Sequence, residues 1–258
     1  MARIFWNDAG ERLYEKGLDK GVMYLADRSG VAWNGLRSVE ENPGGESTEP
    51  LYFDGIKYLD YQKHGDFSAT LTAITYPDEI LEYEGVADMG DGLYADDQPP
   101  KLFHLAYRTQ VGNDIVGLAH GYQIHILYNL TAVPQPVSHI TLNDDPELTE
   151  FVWQIDAVPV EINGFKPTAH IILDSTLLPP AILAGIENVM YGNDEEDARL
   201  PDVSELISFL IIVIDNGDGT FTVIGPDEFV YMVDATEFEI NSPLTVMLDP
   251  DTYRLISP

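Results

Sequence analysis

The stretch from residue 101 to 134, KLFHLAYRTQVGNDIVGLAHGYQIHILYNLTAVP, constrains the fold of this chain more than any other. Two runs in it alternate in polarity, Phe103-His104-Leu105-Ala106-Tyr107 and Tyr122-Gln123-Ile124-His125-Ile126-Leu127-Tyr128. Successive side chains of a strand point to opposite faces, so this alternation predicts two half-buried strands. Gly112, Asn113, Asp114 and Gly117 lie between them and supply the turn chemistry of a β-connection. A chain with such a pair near its middle is committed to a sheet.

Other strand-like segments recur at residues 22–25, 31–39, 51–61, 68–76, 149–157 and 169–173. Turn residues such as Asn42-Pro43-Gly44-Gly45, Asp54-Gly55, Met89-Gly90-Asp91-Gly92 and Asn163-Gly164 separate them. Many short strands with regular turns predict a mostly-β fold, a sandwich or an open barrel. Helical signals are few. Residues 179–191 offer Pro180 in a first turn, Ile182, Ile186 and Val189 on one face, and Gly192 as a stop. Asp202 followed by Glu205 resembles a capping box for a short helix carrying Leu206 and Phe209, and 76–81 could start a third. After residue 213, Ile211-Ile212-Val213-Ile214 and Thr220-Phe221-Thr222-Val223-Ile224 flank a turn-rich linker and read as a hairpin. Strand-length pieces follow at 228–233, 237–240, 244–248 and 253–256. The expected organisation is a β domain over 1–213, with one or two flanking helices, and a small all-β module over 214–258.

Charge bounds the partners. The 258 residues carry 13 basic and 44 acidic side chains, a formal net charge of -31. Residues 1–70 hold 8 basic and 12 acidic groups, and only 5 basic groups serve the rest of the chain. Nucleic-acid affinity comes from Lys and Arg displacing counterions from phosphates, so direct nucleic-acid binding is disfavoured. There is no cysteine, which removes disulfides, thiolate chemistry and Cys-ligated zinc. The first residues lack a basic region followed by an apolar run, and the longest apolar run, 207–214, is far too short to span a bilayer. A soluble protein without a secretion signal is expected.

No motif carries chemistry convincingly. Asp215-Asn216-Gly217-Asp218-Gly219 invites a calcium-loop reading, but Gly217 and Pro226 stand where ligands are needed. The acidic runs Asp194-Glu195-Glu196-Asp197 and Asp88, Asp91, Asp96, Asp97 read as solvated loops. His120 and His125 are five apart, which puts them on opposite faces of a continuous strand and argues against a shared metal. His64 near Asp66 could be a base with its orienting acid, yet no nucleophile is near in sequence. Asn129-Leu130-Thr131 matches a glycosylation sequon, an incidental one in a chain expected to carry no secretion signal. Trp6, Trp33, Trp153 and most tyrosines fall in strand-like runs and are expected to pack, whereas a row of exposed aromatics would suggest carbohydrate binding. No catalytic, cofactor-binding or metal residues are expected, and no cofactor. A glycosidase pair hidden among the many acids stays open.

Tyr107-Arg108-Thr109, Gly112-Asn113-Asp114, Gly121-Tyr122, Ile124-His125 and Tyr128-Asn129 together resemble a hallmark of the major tail proteins of long, non-contractile-tailed bacteriophages, especially those infecting actinobacteria. Shorter matches follow in order: Gly30-Val31-Ala32-Trp33-Asn34-Gly35-Leu36, Tyr52-Phe53-Asp54-Gly55-Ile56-Lys57-Tyr58-Leu59, Tyr76-Pro77-Asp78-Glu79, Gly164-Phe165-Lys166-Pro167-Thr168-Ala169-His170 and Leu173-Asp174-Ser175-Thr176. The resemblance covers roughly the first two thirds. It implies a tail-tube β-sandwich or open barrel and a virion structural protein, not an enzyme. By the same resemblance, self-assembly gives hexameric rings that stack into a tail tube, through which the DNA genome passes on ejection into the host without specific binding. The implied partners are the chain itself, a tape measure protein and a tail terminator, with no membrane; the implied location is the virion tail, assembled in the host cytoplasm. Loops 38–50 and 85–100 and the N-terminal arm before Gly21 are candidate ring-to-ring contacts. The alternative from a different class is an acidic β-sandwich that binds a carbohydrate or a receptor.

Overall fold

The computed structural model describes residues 6, 8–64, 66–141, 148–162 and 165–210, and beyond them six short strands. The chain divides into two compact units, Met1–Val160 with Ala169–Leu177, and Glu161–Thr168 with Leu178–Pro258. The boundary expected between 213 and 214 falls inside the second.

The first unit contains β1 (Tyr14–Tyr24), β2 (Gly30–Ala32), β3 (Leu36–Asn42), β4 (Glu46–Phe53), β5 (Ile56–His64), β6 (Ser68–Ala73), the one-turn helix α1 (Ile80–Tyr83), β7 (Ala87–Asp88), β8 (Tyr94–Ala95), β9 (Phe103–Asn113), β10 (Gly117–Pro134), β11 (Phe151–Ala157) and β12 (His170–Asp174). Eight of them form one antiparallel sheet ordered β2-β1-β9-β10-β11-β6-β3, with β12 a further partner of β10. The mostly-β expectation holds, in the form of a single sheet that curls without closing into a barrel. The curl is visible in two contacts between elements that are not ladder neighbours: β3 sends Glu41 to Tyr107 of β9, and Leu36 of β3 fills the space where a Cβ on Gly21 of β1 would be. Inside lies the core, with Met23, Trp33, Leu71, Ile80, Phe103, Leu105, Leu127, Leu130, Trp153 and Ile155 all buried. Trp33 and Trp153 meet edge to face at 5.5 Å, as packing aromatics should, whereas Trp6 is exposed.

Several local expectations are refined. The segment 31–39 is two strands, because Asn34-Gly35 turns the chain; Gly35 has φ +84 and sits where any Cβ would meet Thr75. The segment 51–61 is a hairpin folded at Asp54-Gly55, with φ +50 and +77. Most of 38–50 is therefore strand, and only 43–45 connects. The expected N-terminal arm is in part strand, since 14–20 belong to β1 and pair with β9. Loop 85–100 carries the small β7–β8 pair and is pinned by Gln98 N–H on Gly85 O at 2.8 Å.

The long strand β10 changes partners along its length. Its first part pairs with β9 on one side and β12 on the other, and residues 130–134 pair with β11. The switch happens at a bulge between Leu127 and Leu130, where Asn129 takes φ +51. Three of the backbone groups freed there find partners. Tyr128 N–H donates to Ala169 O (2.9 Å), Asn129 N–H to His104 Nδ1 (3.1 Å), and Asn129 O accepts from Val158 N–H (3.0 Å). His104 is thus a structural acceptor, buried beside the Tyr128 ring.

The second unit has α2 (Pro180–Tyr191) and α3 (Val203–Phe209), followed by β13 (Ile212–Asp215), β14 (Phe221–Ile224), β15 (Val230–Met232), β16 (Phe238–Ile240), β17 (Met247–Leu248) and β18 (Leu255–Ile256). Pro180 begins α2 and Gly192 (φ +76) ends it, as the sequence predicts, while Leu183, Ile186 and Met190 are its buried residues, one step round from the face expected. Asp202 caps α3 by accepting Glu205 N–H at 2.8 Å. The Glu205 carboxylate takes both Arg199 nitrogens, at 2.6 and 2.8 Å. The strands expected around Asp215 do pair, β13 with β14, and β15–β16 and β17–β18 pair likewise. The turn at 216–220 and its calcium-like residues lie outside the described residues. No described helix is long and apolar enough to cross a membrane.

Burial, with the charge of Arg28 second, holds the His104 imidazole down to about 4. The folded state therefore takes this proton less readily than the unfolded chain, whose histidine titrates near 6.5. Stability that is complete above about pH 6.5 is lost as the pH falls towards about 4, by roughly 3 kcal/mol at most. Urea unfolding at a series of pH values should show a loss over that window that is smaller by about this amount in His104→Gln.

Candidate functional site

Two features of the first unit are candidates for function: a buried polar cluster on the inner face of the sheet and an apolar hairpin outside it. The cluster follows from register. Tyr107 of β9 lies directly across from His125 of β10, and β12 pairs Ile172 with His125 and His170 with Leu127. Side chains two apart share a face, so Thr109, Tyr107, His125 and His170 gather on the core side. The curl of the sheet then brings Glu41 over them.

Glu41 is the hub. Its Oε1 accepts from Tyr107 Oη and lies 3.1 Å from His125 Nδ1, and its Oε2 lies 3.5 Å from His170 Nδ1. His125 Nδ1 is also 3.1 Å from His170 Nε2, and His125 Nε2 is 3.0 Å from Thr109 Oγ1. The Tyr107 and His125 rings stack within 5° of parallel, at 4.8 Å. His125 is only 6% exposed. Burial would raise the Glu41 carboxyl, but hydrogen bonds from His125 and Tyr107, with the charges of His170 and His125, outweigh it and hold it down to about 2. Burial lowers His170 in spite of Glu41, and burial followed by Glu41 pushes the Tyr107 phenol far above its usual range. A carboxylate and two imidazoles within 4.8 Å of one another are a set that can hold a metal ion or share a proton.

The other motif residues have structural work. Arg108 points to the opposite face from its neighbours and clamps Asp19 with two bonds, at 2.6 and 2.8 Å, over the ring of Tyr122. Asn113 Oδ1 accepts from Ile115 and Val116 N–H and shapes the β9–β10 turn, while Asp114 accepts Gly10 N–H at 2.9 Å. The Tyr14 ring fills the space where a Cβ on Gly112 would be. His120 is 3.2 Å from Asn113 Nδ2 and takes no part in the cluster. Among the described carboxylates, Glu84 is raised by burial and accepts Trp153 Nε1–H at 2.6 Å, which anchors the tryptophan. The His64 side chain lies outside the described residues. Sequence reasoning missed Glu41, and missed that His125 and His170 meet; the register of β12 against β10 is the signal it lacked.

Outside the core, β4 and β5 make a two-stranded sheet of their own. Around the Asp54-Gly55 turn it exposes Leu51, Tyr52, Phe53, Ile56, Tyr58 and Leu59, with Ile56 at 72% and Tyr58 at 70%. Phe53 and Tyr58 meet edge to face at 5.3 Å, so these two rings clasp each other and do not form a flat platform. At the ends of the main sheet, β2 and β3 each have one ladder partner.

No protein-family model matches this sequence, and neither does any curated protein. Among solved structures, a chain of the PVC sheath–tube complex, an extracellular contractile injection system in the extended state, is similar at 12% identity and a TM-score of 0.31, over 60% of this chain and 88% of that one. A chain of the anti-feeding prophage (AFP) baseplate is similar at 8% identity and a TM-score of 0.32, over 68% of this chain and 100% of that one.

Removing the hub leaves a buried phenol without its acceptor and two buried imidazoles without the carboxylate beside them. Glu41→Ala should lower the unfolding free energy by about 2–4 kcal/mol and Tyr107→Phe by about 1–2 kcal/mol. In a double-mutant cycle by chemical denaturation, the two changes should fall short of additivity by more than about 0.5 kcal/mol. Strict additivity would show that this hydrogen bond contributes nothing to the fold.

Proposed function

We propose that this chain is a self-assembling structural subunit of a phage tail tube, acting without catalysis. The observation that carries the reading is the hairpin of β4 and β5, which presents a cluster of apolar side chains on a chain of net charge -31. Exposed apolar patches of this kind mark contact surfaces. The occupant is a second copy of the same chain. Copies that repel one another by charge need a contact that does not depend on charge, and apolar burial supplies it. The half-paired edge strands β2 and β3 add a second means of joining, by extending the ladder into a neighbour. A contact that closes by rotation gives a ring, here of six, and an axial contact that does not close propagates a tube.

The ordered sequence matches support the tail-tube form of this assembly, and the string 52–59 is one of them. In that setting the acidic excess has a use. A lumen that repels phosphate lets a genome pass without sticking, within the screening length of about 8 Å at physiological salt. The subunit would work in the virion tail, with a tape measure protein inside the tube and a terminator at its end. The carbohydrate-binding alternative would draw on the same exposed aromatics, Tyr52, Phe53 and Tyr58. The mutual packing of Phe53 and Tyr58 disfavours it, because sugar platforms present ring faces.

Negative-stain electron microscopy over a range of salt should show six-fold rings or hollow tubes, favoured as salt screens the acidic faces. The triple variant Tyr52→Asp, Ile56→Asp, Tyr58→Asp should stay a small particle in sedimentation under the same conditions, with unchanged thermal unfolding. Equal assembly by both proteins would remove the hairpin from the interface. Assembly in neither, with a glycan raising the melting temperature of the wild type alone, would favour the binding module. Deleting 85–100 tests that loop separately: tubes that still form exclude it from the axial contact.

A further inference from the structure

We propose that Glu41, His125 and His170 bind one divalent transition-metal ion, zinc by preference, and that this ion ties the edge strand β3 to β10 and β12. The proposal rests on three donor atoms that converge in a buried place. His125 Nδ1 lies 3.1 Å from both Glu41 Oε1 and His170 Nε2, and the full set fits within 4.8 Å. Ligands held at about 2.0–2.1 Å around a tetrahedral ion stand about 3.3 Å from one another. The two spacings about His125 Nδ1 already match that edge within a few tenths of an ångström, and Glu41 and His170, within 4.8 Å, close on the ion by side-chain rotation of up to about 1.5 Å.

Proton accounting favours the same conclusion. With Thr109 Oγ1 at Nε2, one proton at His125 Nδ1 has to serve both the carboxylate and the facing His170 Nε2. With that proton on Nε2 and given to Thr109, and the His170 proton on Nδ1 facing Glu41 Oε2, the lone pairs of His125 Nδ1, His170 Nε2 and Glu41 Oε1 converge. A cation satisfies all three at once. Thr109 is then the outer partner that fixes the tautomer of a ligating histidine, and Tyr107 holds the carboxylate in the same way. Two imidazoles and one carboxylate suit zinc, cobalt or ferrous ions, whereas magnesium and calcium prefer oxygen ligands alone. A water molecule would complete the four ligands of a tetrahedral ion. The site lies inside the first unit, so it stands whether or not the chain assembles.

The test must separate this site from weak binding to the many surface carboxylates. The chelator-treated full-length protein is titrated with zinc and with cobalt in an excess of magnesium, which occupies oxygen-only sites. One zinc per chain should bind and raise the melting temperature, and cobalt should give the visible bands of a tetrahedral nitrogen–oxygen site. His170→Gln keeps a hydrogen-bonding side chain, and should lose the stoichiometric zinc and the cobalt bands. Thr109→Val should weaken zinc by about tenfold through the loss of its outer bond. His120→Ala, outside the cluster, should bind as the wild type does. Equal zinc binding by wild type and His170→Gln would overturn the proposal, as would a wild type that binds no zinc under excess magnesium.

Discussion

The carboxylate of Glu41 is the contact on which the curl of the sheet depends. It sits on an edge strand, yet it bonds to Tyr107 of β9 and faces His125 of β10 at 3.1 Å and His170 of β12 at 3.5 Å. A buried charge without partners costs several kcal/mol, and partners from three strands offset that cost only when the sheet is rolled far enough to bring them together. Apolar packing drives the roll but tolerates small slips, whereas a hydrogen-bonded hub does not. The bulge at Tyr128-Asn129 does the complementary task. It bends β10 so that one strand can serve β9, β12 and β11, and His104 takes the amide that the bend releases.

The two faces of the molecule follow opposite rules. Within the curl, polar groups are few and each is spoken for. On the outside, acidic groups dominate, and the apolar hairpin stands out against them. An isolated two-stranded ribbon is marginally stable in water, so a neighbour covering its apolar side chains would also hold its shape. Under the proposed assembly, the hairpin would be loose in the free chain and firm once covered.

Much of the fold is legible in the sequence because it rests on local rules. The alternation around residues 103–107 and 122–128 predicts the central strands, Asp202 predicts the start of α3, and Pro180 with Gly192 bounds α2. The errors have a common cause, which is distance along the chain. The alternation around His104 and His125 marks half-buried strands and does not show that both histidines are buried, each held by a partner at least 16 residues away. The string Tyr107-Arg108-Thr109 reads as one motif, but the pleat splits it: Tyr107 and Thr109 enter the cluster, and Arg108 clamps Asp19 on the other face. Glu41 carried no signal at all, as one acid among 44. Only the register of strands far apart in sequence makes it a hub.

Strand order also sets when this molecule can fold. The first 100 residues supply β1 with β2 at one end of the sheet and β3 with β6 at the other, and no ladder joins the two pieces. That ladder comes only with β9, β10 and β11, which end at Ala157. On a ribosome, the N-terminal strands must therefore wait with open edges for more than a minimal hairpin's worth of synthesis, at about 5–20 residues per second. Such non-local pairing makes folding slow and the waiting state sticky. The aggregation hazard of this chain lies in that interval, before β9, β10 and β11 close the open edges.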